Sequence, residues 1–263
     1  SRFAGRRDFL YRLLILFEKL SCNVADVIIS TNNSYRNIIV KRHNVDLKKC
    51  FIVRNDPIVS EFSVVNRSNC PKKEEEKKVL LFVGYINPQD GIDVLLQSLE
   101  HLVFVLNRKD FICRIIGAGD SLKSVKHMAK DLRLSDYIDF KGYISDRKKI
   151  HEYLALSDIC LEPAPDNHLN RHSTFIKIME YMAASKPIVA YDLEETRYSA
   201  NGSAILVKLG DIKEFACGIR ELMEDELARR ELGRRGYERV KKDLNWDKTS
   251  SNLIQAYKLL SIN

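Results

Sequence analysis

Apolar residues near the start of the chain recur at helical spacing. Over residues 6–21, Phe9, Leu10, Leu13, Leu14, Leu16, Phe17 and Leu20 fall among Arg6, Arg7, Arg12 and Lys19, which predicts a helix with a broad apolar face. Packing on a sheet is its simplest role, and a basic helix lying on a membrane surface is the alternative. Residues 25–31 read as a short strand ending in polar residues, 34–42 as a helix and 51–54 as another strand. Residues 64–78 are polar, charged and aperiodic, as in a linker. From residue 79 onward, short apolar runs alternate with amphipathic stretches. Strands are expected near 79–84, 111–116, 137–141, 158–162, 187–191 and 203–207. Helices are expected near 91–104, 121–132, 147–155, 174–185, 211–223 and 226–241, and a last amphipathic helix over 246–260. This alternation predicts an α/β fold, a Rossmann-like parallel sheet with helices on both faces. Its ligand should lie beyond the carboxyl ends of the strands.

The 263 residues suit one or two domains, and a formal charge of +7 points to an anionic partner. The charge is scattered, and the run over 72–78 largely cancels itself. With no basic stripe interleaved with aromatics, a nucleic-acid partner is not expected. Anionic lipid and an anionic sugar nucleotide fit equally well. The six cysteines, at 22, 50, 70, 113, 160 and 217, are widely separated and show no Cys-x-x-Cys. They read as reduced, mostly buried thiols of a cytoplasmic protein, with no zinc site. No apolar run reaches the length of a membrane span, and Arg12, Glu18 and Lys19 interrupt the only stretch resembling a leader. Opening on Ser1 and Arg2 rather than Met, the sequence is expected to be a processed product or a fragment.

The densest chemistry lies over 170–190. A polar stretch, Asn170-Arg-His-Ser-Thr174, runs into a helix that carries Lys177 and Glu180, and a strand follows Pro187. A helix start presents unpaired N–H groups and partial positive charge, which suits a diphosphate. Ser173 and Thr174 are expected as N-caps. A carboxylate deeper in the helix, Glu180, suits a ribose diol. A lysine in the first turn opposes the helix dipole unless an anion is bound, which favours a functional Lys177 over an idle, solvated one. The alternative for this residue is a plain Lys177–Glu180 pair along the helix. His172 reads equally well as a solvated loop residue and as a contact to sugar or phosphate.

These residues resemble the nucleotide-sugar site of GT-B glycosyltransferases of the retaining group 1 family. Phe82-Val-Gly84 with Pro88-Gln-Asp-Gly91, Ile115-Ile-Gly-Ala-Gly119, Phe140-Lys-Gly-Tyr-Ile144, Asp192 and Gly210-Asp211 carry the resemblance in the same order and spacing. It implies that 1–63 are the tail of an amino-terminal acceptor domain, 64–78 a linker, 79–245 the donor nucleotide-sugar-binding domain and 246–263 a crossover helix. Two departures stand out. The family's Glu-x7-Glu motif has His172 in its first place and Glu180 in its second, and the usual phosphate-binding Arg and Lys are replaced by Tyr85 and Asp90. The pattern Ser-Thr-x-x-Lys-x-x-Glu-Tyr-Met-Ala resembles a subset associated with surface-polysaccharide and O-antigen assembly, with Lys177 standing as a relocated cation.

The resemblance implies transfer of a sugar from a nucleoside-diphosphate sugar to a glycan or lipid-linked acceptor, without a metal or other cofactor. It implies a donor site of Gly84, Tyr143, Ile144, His172, Ser173, Thr174, Lys177 and Glu180, with Tyr143 and Ile144 flanking the base. No catalytic base is assigned. The site suits a cytoplasmic protein, with peripheral contact at the inner membrane face as an option. The alternative is a non-catalytic nucleotide-sugar-binding fragment, or a subunit of a split transferase whose partner supplies the acceptor domain. An epimerase on the same fold ranks below both.

Overall fold

The computed structural model describes residues 9–63 and 77–260. The expected linker therefore falls almost wholly outside the described residues, as does Cys70; Lys78 already opens a strand.

Residues 9–63 begin with α1 (Phe9–Val24), β1 (Ile28–Ser30) and α2 (Asn33–His43), followed by β2 (Cys50–Ile52) and the single turn α3 (Ser60–Ser63). β1 and β2 pair in parallel as a two-stranded sheet. The apolar positions of α1 do not find the sheet expected of them: no residue of this helix is buried, and Phe9, Phe17 and Val24 are 78%, 54% and 82% exposed.

The remainder alternates β3 (Lys78–Val83), α4 (Ile92–Phe104), β4 (Phe111–Ile116), α5 (Leu122–Asp131), β5 (Ile138–Gly142), α6 (Arg147–Leu156) and β6 (Ile159–Glu162). It continues through α7 (Ile176–Ala183), β7 (Ile188–Tyr191), α8 (Glu194–Ala200), β8 (Ile205–Val207), α9 (Ile212–Glu224) and α10 (Glu226–Asp243). The strands form one six-stranded parallel sheet in the order β5-β4-β3-β6-β7-β8. Parallel strands need helical crossovers, which cover both faces and make the strands apolar throughout. Period-two alternation divides the side chains between two cores. Leu80, Phe82, Leu161, Val189 and Tyr191 face α4, α5 and α9, whereas Leu81, Cys160, Ile188 and Ala190 face α6, α7 and α10. Fully burying one such side chain is worth about 1.5–3 kcal/mol, so these two layers dominate the stability of the domain.

The sheet winds outward in both directions from β3 and β6. That reversal opens a crevice at the carboxyl ends of these strands, the place where open α/β sheets take their ligands. The last helix, α11 (Trp246–Leu260), returns to the first segment. There Asn252 Nδ2 donates to Ile52 O at 3.0 Å, and the Thr249 hydroxyl donates to the buried Asp56 carboxylate. The cysteines at 22, 50, 113, 160 and 217 are free thiols, and burial pushes Cys113 and Cys160 up to about 12. No helix among the described residues is long and apolar enough to cross a membrane.

Candidate functional site

The crevice between β3 and β6 is floored by Gly84 and Glu162. Gly84 follows β3, and a Cβ there would lie 2.9 Å from Lys177 Nζ, so glycine leaves room for the ammonium. Gly91 has φ +72 and lies so close to the β6 loop that a Cβ would fall 2.1 Å from Pro163 O. Both conditions select glycine, and the β3–α4 loop is thereby pressed against the end of β6.

Lys177 is the second residue of α7, but it is neither solvated nor paired along the helix. Only 12% of its side chain is exposed, and its Nζ lies 3.0 Å from Glu162 Oε2 and 4.0 Å from Asp90 Oδ1. The ammonium also sits 4.4 Å from the Phe82 ring centroid, a cation–π contact. At 3.0 Å from Glu162 it nonetheless lacks a well-directed hydrogen bond, as does Glu162 Oε2. Burial pushes the Glu162 carboxyl above the usual carboxylate range, with Lys177 and the Ala164 N–H pulling against it. Asp90 is raised by burial too, opposed by Lys177 and Asn87. Asp90 and Lys177, far apart in the chain, thus share one place beside Gly84.

Glu180 lies one turn further along α7. Burial raises its carboxyl pKa, opposed by the charges of Arg147 and Lys177, and Arg147 Nη2 stands 3.8 Å from its Oε1. It faces a cavity of about 330 Å³ bounded by Asn55, Ile58, Arg147, Ile176 and Trp246. Tyr143 is 75% exposed in the loop after β5, while Ile144 packs against the α7 side of the sheet.

Ser173 and Thr174 do not cap α7. The helix begins at Ile176 with Phe175 as N-cap, and no side chain makes a cap hydrogen bond there. Partners outside the helix take both hydroxyls instead. Ser173 Oγ donates to Leu169 O at 2.8 Å and lies 3.1 Å from Tyr35 Oη. Thr174 Oγ1 accepts from Asn32 Nδ2 at 2.9 Å and donates to Glu195 Oε2 at 3.3 Å. His172 closes the turn Asn170–His172, and its Nδ1 is buried without a hydrogen-bond partner.

The residues named from sequence therefore do not gather in one place. Gly84 and Lys177 meet at the carboxyl end of β3, and Glu180 faces the cavity beside Arg147 and Trp246. Tyr143 and Ile144 stand apart in the loop after β5, and His172, Ser173 and Thr174 form a loop held against the first segment. Sequence reading gave no role at the site to Asn32, Arg54, Glu162, Arg147 or Glu195. Glu162 left a signal, an acid closing an otherwise apolar strand. The uncapped start of α7, next to a buried ammonium, is chemically suited to an anion. Among the described residues no group of three or more His, Cys, Asp or Glu is placed to hold a metal ion.

Comparison with known proteins agrees with this architecture. Residues 67–239 match the family described as glycosyl transferases group 1. The phosphatidyl-myo-inositol mannosyltransferase of Mycolicibacterium smegmatis is 31% identical over 189 residues, covering 71% of this chain and 46% of that protein. The D-inositol 3-phosphate glycosyltransferase of Geodermatophilus obscurus is 24% identical over 258 residues, covering 94% of this chain and 55% of the relative. The chain thus spans about half the length of these relatives. In fold it resembles Anabaena HepE crystallised with UDP, at a TM-score of 0.80 and 15% identity, covering 99% of this chain and 70% of that one. The six-stranded Rossmann-like domain is the GT-B type of α/β fold shared with such neighbours. By a match that spans well over half of its residues, the chain belongs to the group 1 glycosyltransferase family.

Proposed function

We propose that this chain supplies the donor site of an enzyme that transfers a sugar from a nucleoside-diphosphate sugar to a glycan or lipid-linked acceptor. One observation carries the reading: the start of α7, the Lys177 ammonium and Gly84 converge at the switch point of the sheet, with Glu180 one turn away. Gly84, His172, Ser173, Thr174 and Lys177 form the diphosphate-sugar side of the site. Glu180 takes the ribose, and Tyr143 with Ile144 flanks the base. Bond breaking between the sugar C1 and the diphosphate oxygen leaves negative charge on the departing nucleotide. The α7 dipole and Lys177 stand ready to hold that charge, and the reading needs no metal. Support comes from a structural neighbour crystallised with UDP and from a relative named as a mannosyltransferase. The reading places the chain in the cytoplasm, with peripheral contact at the inner membrane face as an option.

The exposed apolar face of α1 favours a second reading, in which this chain is the nucleotide-sugar-binding part of a split transferase and a partner covers Phe9, Phe17 and Val24. Calorimetric titration with UDP, GDP and ADP, without added metal, tests the common core of both readings. Saturable binding of one nucleotide is expected, and binding of none overturns the donor site. Turnover with a lipid-linked or glycan acceptor separates the enzyme from the binding subunit.

A further inference from the structure

The loop carrying His172, Ser173 and Thr174 is shaped from outside the six-stranded domain. Asn32, just beyond β1, is fully buried and N-caps α2 by accepting the Tyr35 N–H on Oδ1 at 2.8 Å. Both of its amide hydrogens go to the loop, one to His172 O at 2.8 Å and one to Thr174 Oγ1 at 2.9 Å. Behind Thr174, the buried Glu195 accepts from Ser34 N and Ser34 Oγ on Oε1 and from both terminal nitrogens of Arg54 on Oε2. Arg54, also buried, stacks 4.4 Å from the Tyr198 ring centroid. Side chains from both segments therefore fix the backbone of this loop, whose own regular structure is a single 3-10 turn.

We infer that Asn32 is a positioning residue for the donor loop. By holding the His172 carbonyl and the Thr174 hydroxyl, it sets the direction of the His172 ring and its unpaired Nδ1. Without those hydrogen bonds the loop would have to be ordered at the moment of binding, which weakens affinity for whatever it contacts. The inference rests on the proposed donor site and adds to it: the diphosphate-sugar side of that site is organised by the first segment, whereas the nucleoside side around Glu180 and Ile144 does not depend on Asn32.

Asn32→Asp separates the two duties of the side chain. Aspartate still accepts the Tyr35 N–H and caps α2, but it donates nothing to His172 or Thr174 and adds charge beside Glu195. Asn32→Ser caps the helix with a neutral hydroxyl and guards against misfolding of the charged variant. The intact chain would be titrated with whichever of UDP, GDP and ADP binds the wild type, with the glucose ester of that nucleotide, and with the matching monophosphate. For both variants, affinity for the diphosphate and its glucose ester is expected to fall about ten- to a hundredfold, the scale of losing two hydrogen bonds. Monophosphate affinity is expected to stay within about twofold, whereas Tm falls in both variants, more for the aspartate, because a fully buried side chain loses two partners and the aspartate adds charge beside Glu195. Unchanged diphosphate affinity in the variants overturns the role of Asn32. A parallel loss for all three ligands reduces it to a structural residue and equally overturns the inference. A wild type that binds no nucleotide overturns the donor site itself.

Discussion

Replacing Lys177 by methionine removes the ammonium while keeping an unbranched side chain of similar length. Two consequences follow, and the structure allows them to be separated. The first concerns stability, because Glu162 is 1% exposed and loses its counter-charge at 3.0 Å. Stranding one partner of a buried pair commonly costs about 3–5 kcal/mol. Here the Glu162 pKa is already raised by burial, so the carboxyl can take up a proton, and the cost falls to that of one poorly satisfied buried group, about 1–3 kcal/mol. The second consequence concerns binding. Loss of one charge-assisted contact to a diphosphate weakens affinity by about 1–3 kcal/mol, roughly five- to 150-fold. Pairing Lys177→Met with Glu162→Gln removes the stranded carboxyl, so stability should recover while nucleotide affinity stays low. Urea denaturation reads the first quantity and calorimetric titration the second. Glu162→Gln alone should tighten nucleotide binding, since the ammonium then shares its charge only with Asp90, at 4.0 Å. A double variant that binds as tightly as wild type refutes the reasoning and leaves Lys177 a structural tie between β6 and the Asp90 loop.

Stability should also depend on pH through Glu162. Its folded pKa lies above its unfolded one, so the contribution is present below the unfolded value and is lost as pH rises through the elevated folded value. Unfolding free energies of wild type minus Glu162→Gln, measured at pH values from below 4.5 upward, should therefore decline with pH; a flat difference contradicts the burial of this carboxyl. Glu180→Ala should weaken a ribonucleotide by about tenfold yet leave its 2′,3′-dideoxy analogue unaffected, and equal losses for the two would remove the ribose role. Gly91→Ala should destabilise by at least about 1–3 kcal/mol in urea titrations, because its φ is +72 and the added carbon meets the Pro163 carbonyl.

Regular structure over residues 78–243 was legible because period and composition agree there. Strands expected near 79–84 and 111–116 are β3 (Lys78–Val83) and β4 (Phe111–Ile116), since buried parallel strands must be apolar on both faces. Two short helices, α3 and α8, went unread. Neither is long enough to show a periodic face, and α8 buries polar residues such as Glu195, Thr196 and Ser199.

By itself the sequence determined the α/β architecture, the crevice at the carboxyl ends of the strands and the crowding of polar residues over 170–180, since local periodicity and glycine placement dictate these. Only the tertiary structure decided how those residues are used. It began α7 at Ile176 because Asn32 and Glu195 draw the Thr174 hydroxyl away from the helix start. It also set Lys177 against Glu162 and Asp90 rather than Glu180. The physical reason is common to both cases. A hydroxyl or an ammonium has several partners of similar local merit, and the choice among them falls to burial. Where water is excluded, a polar group must pair with whatever the fold brings within reach, however distant in the chain.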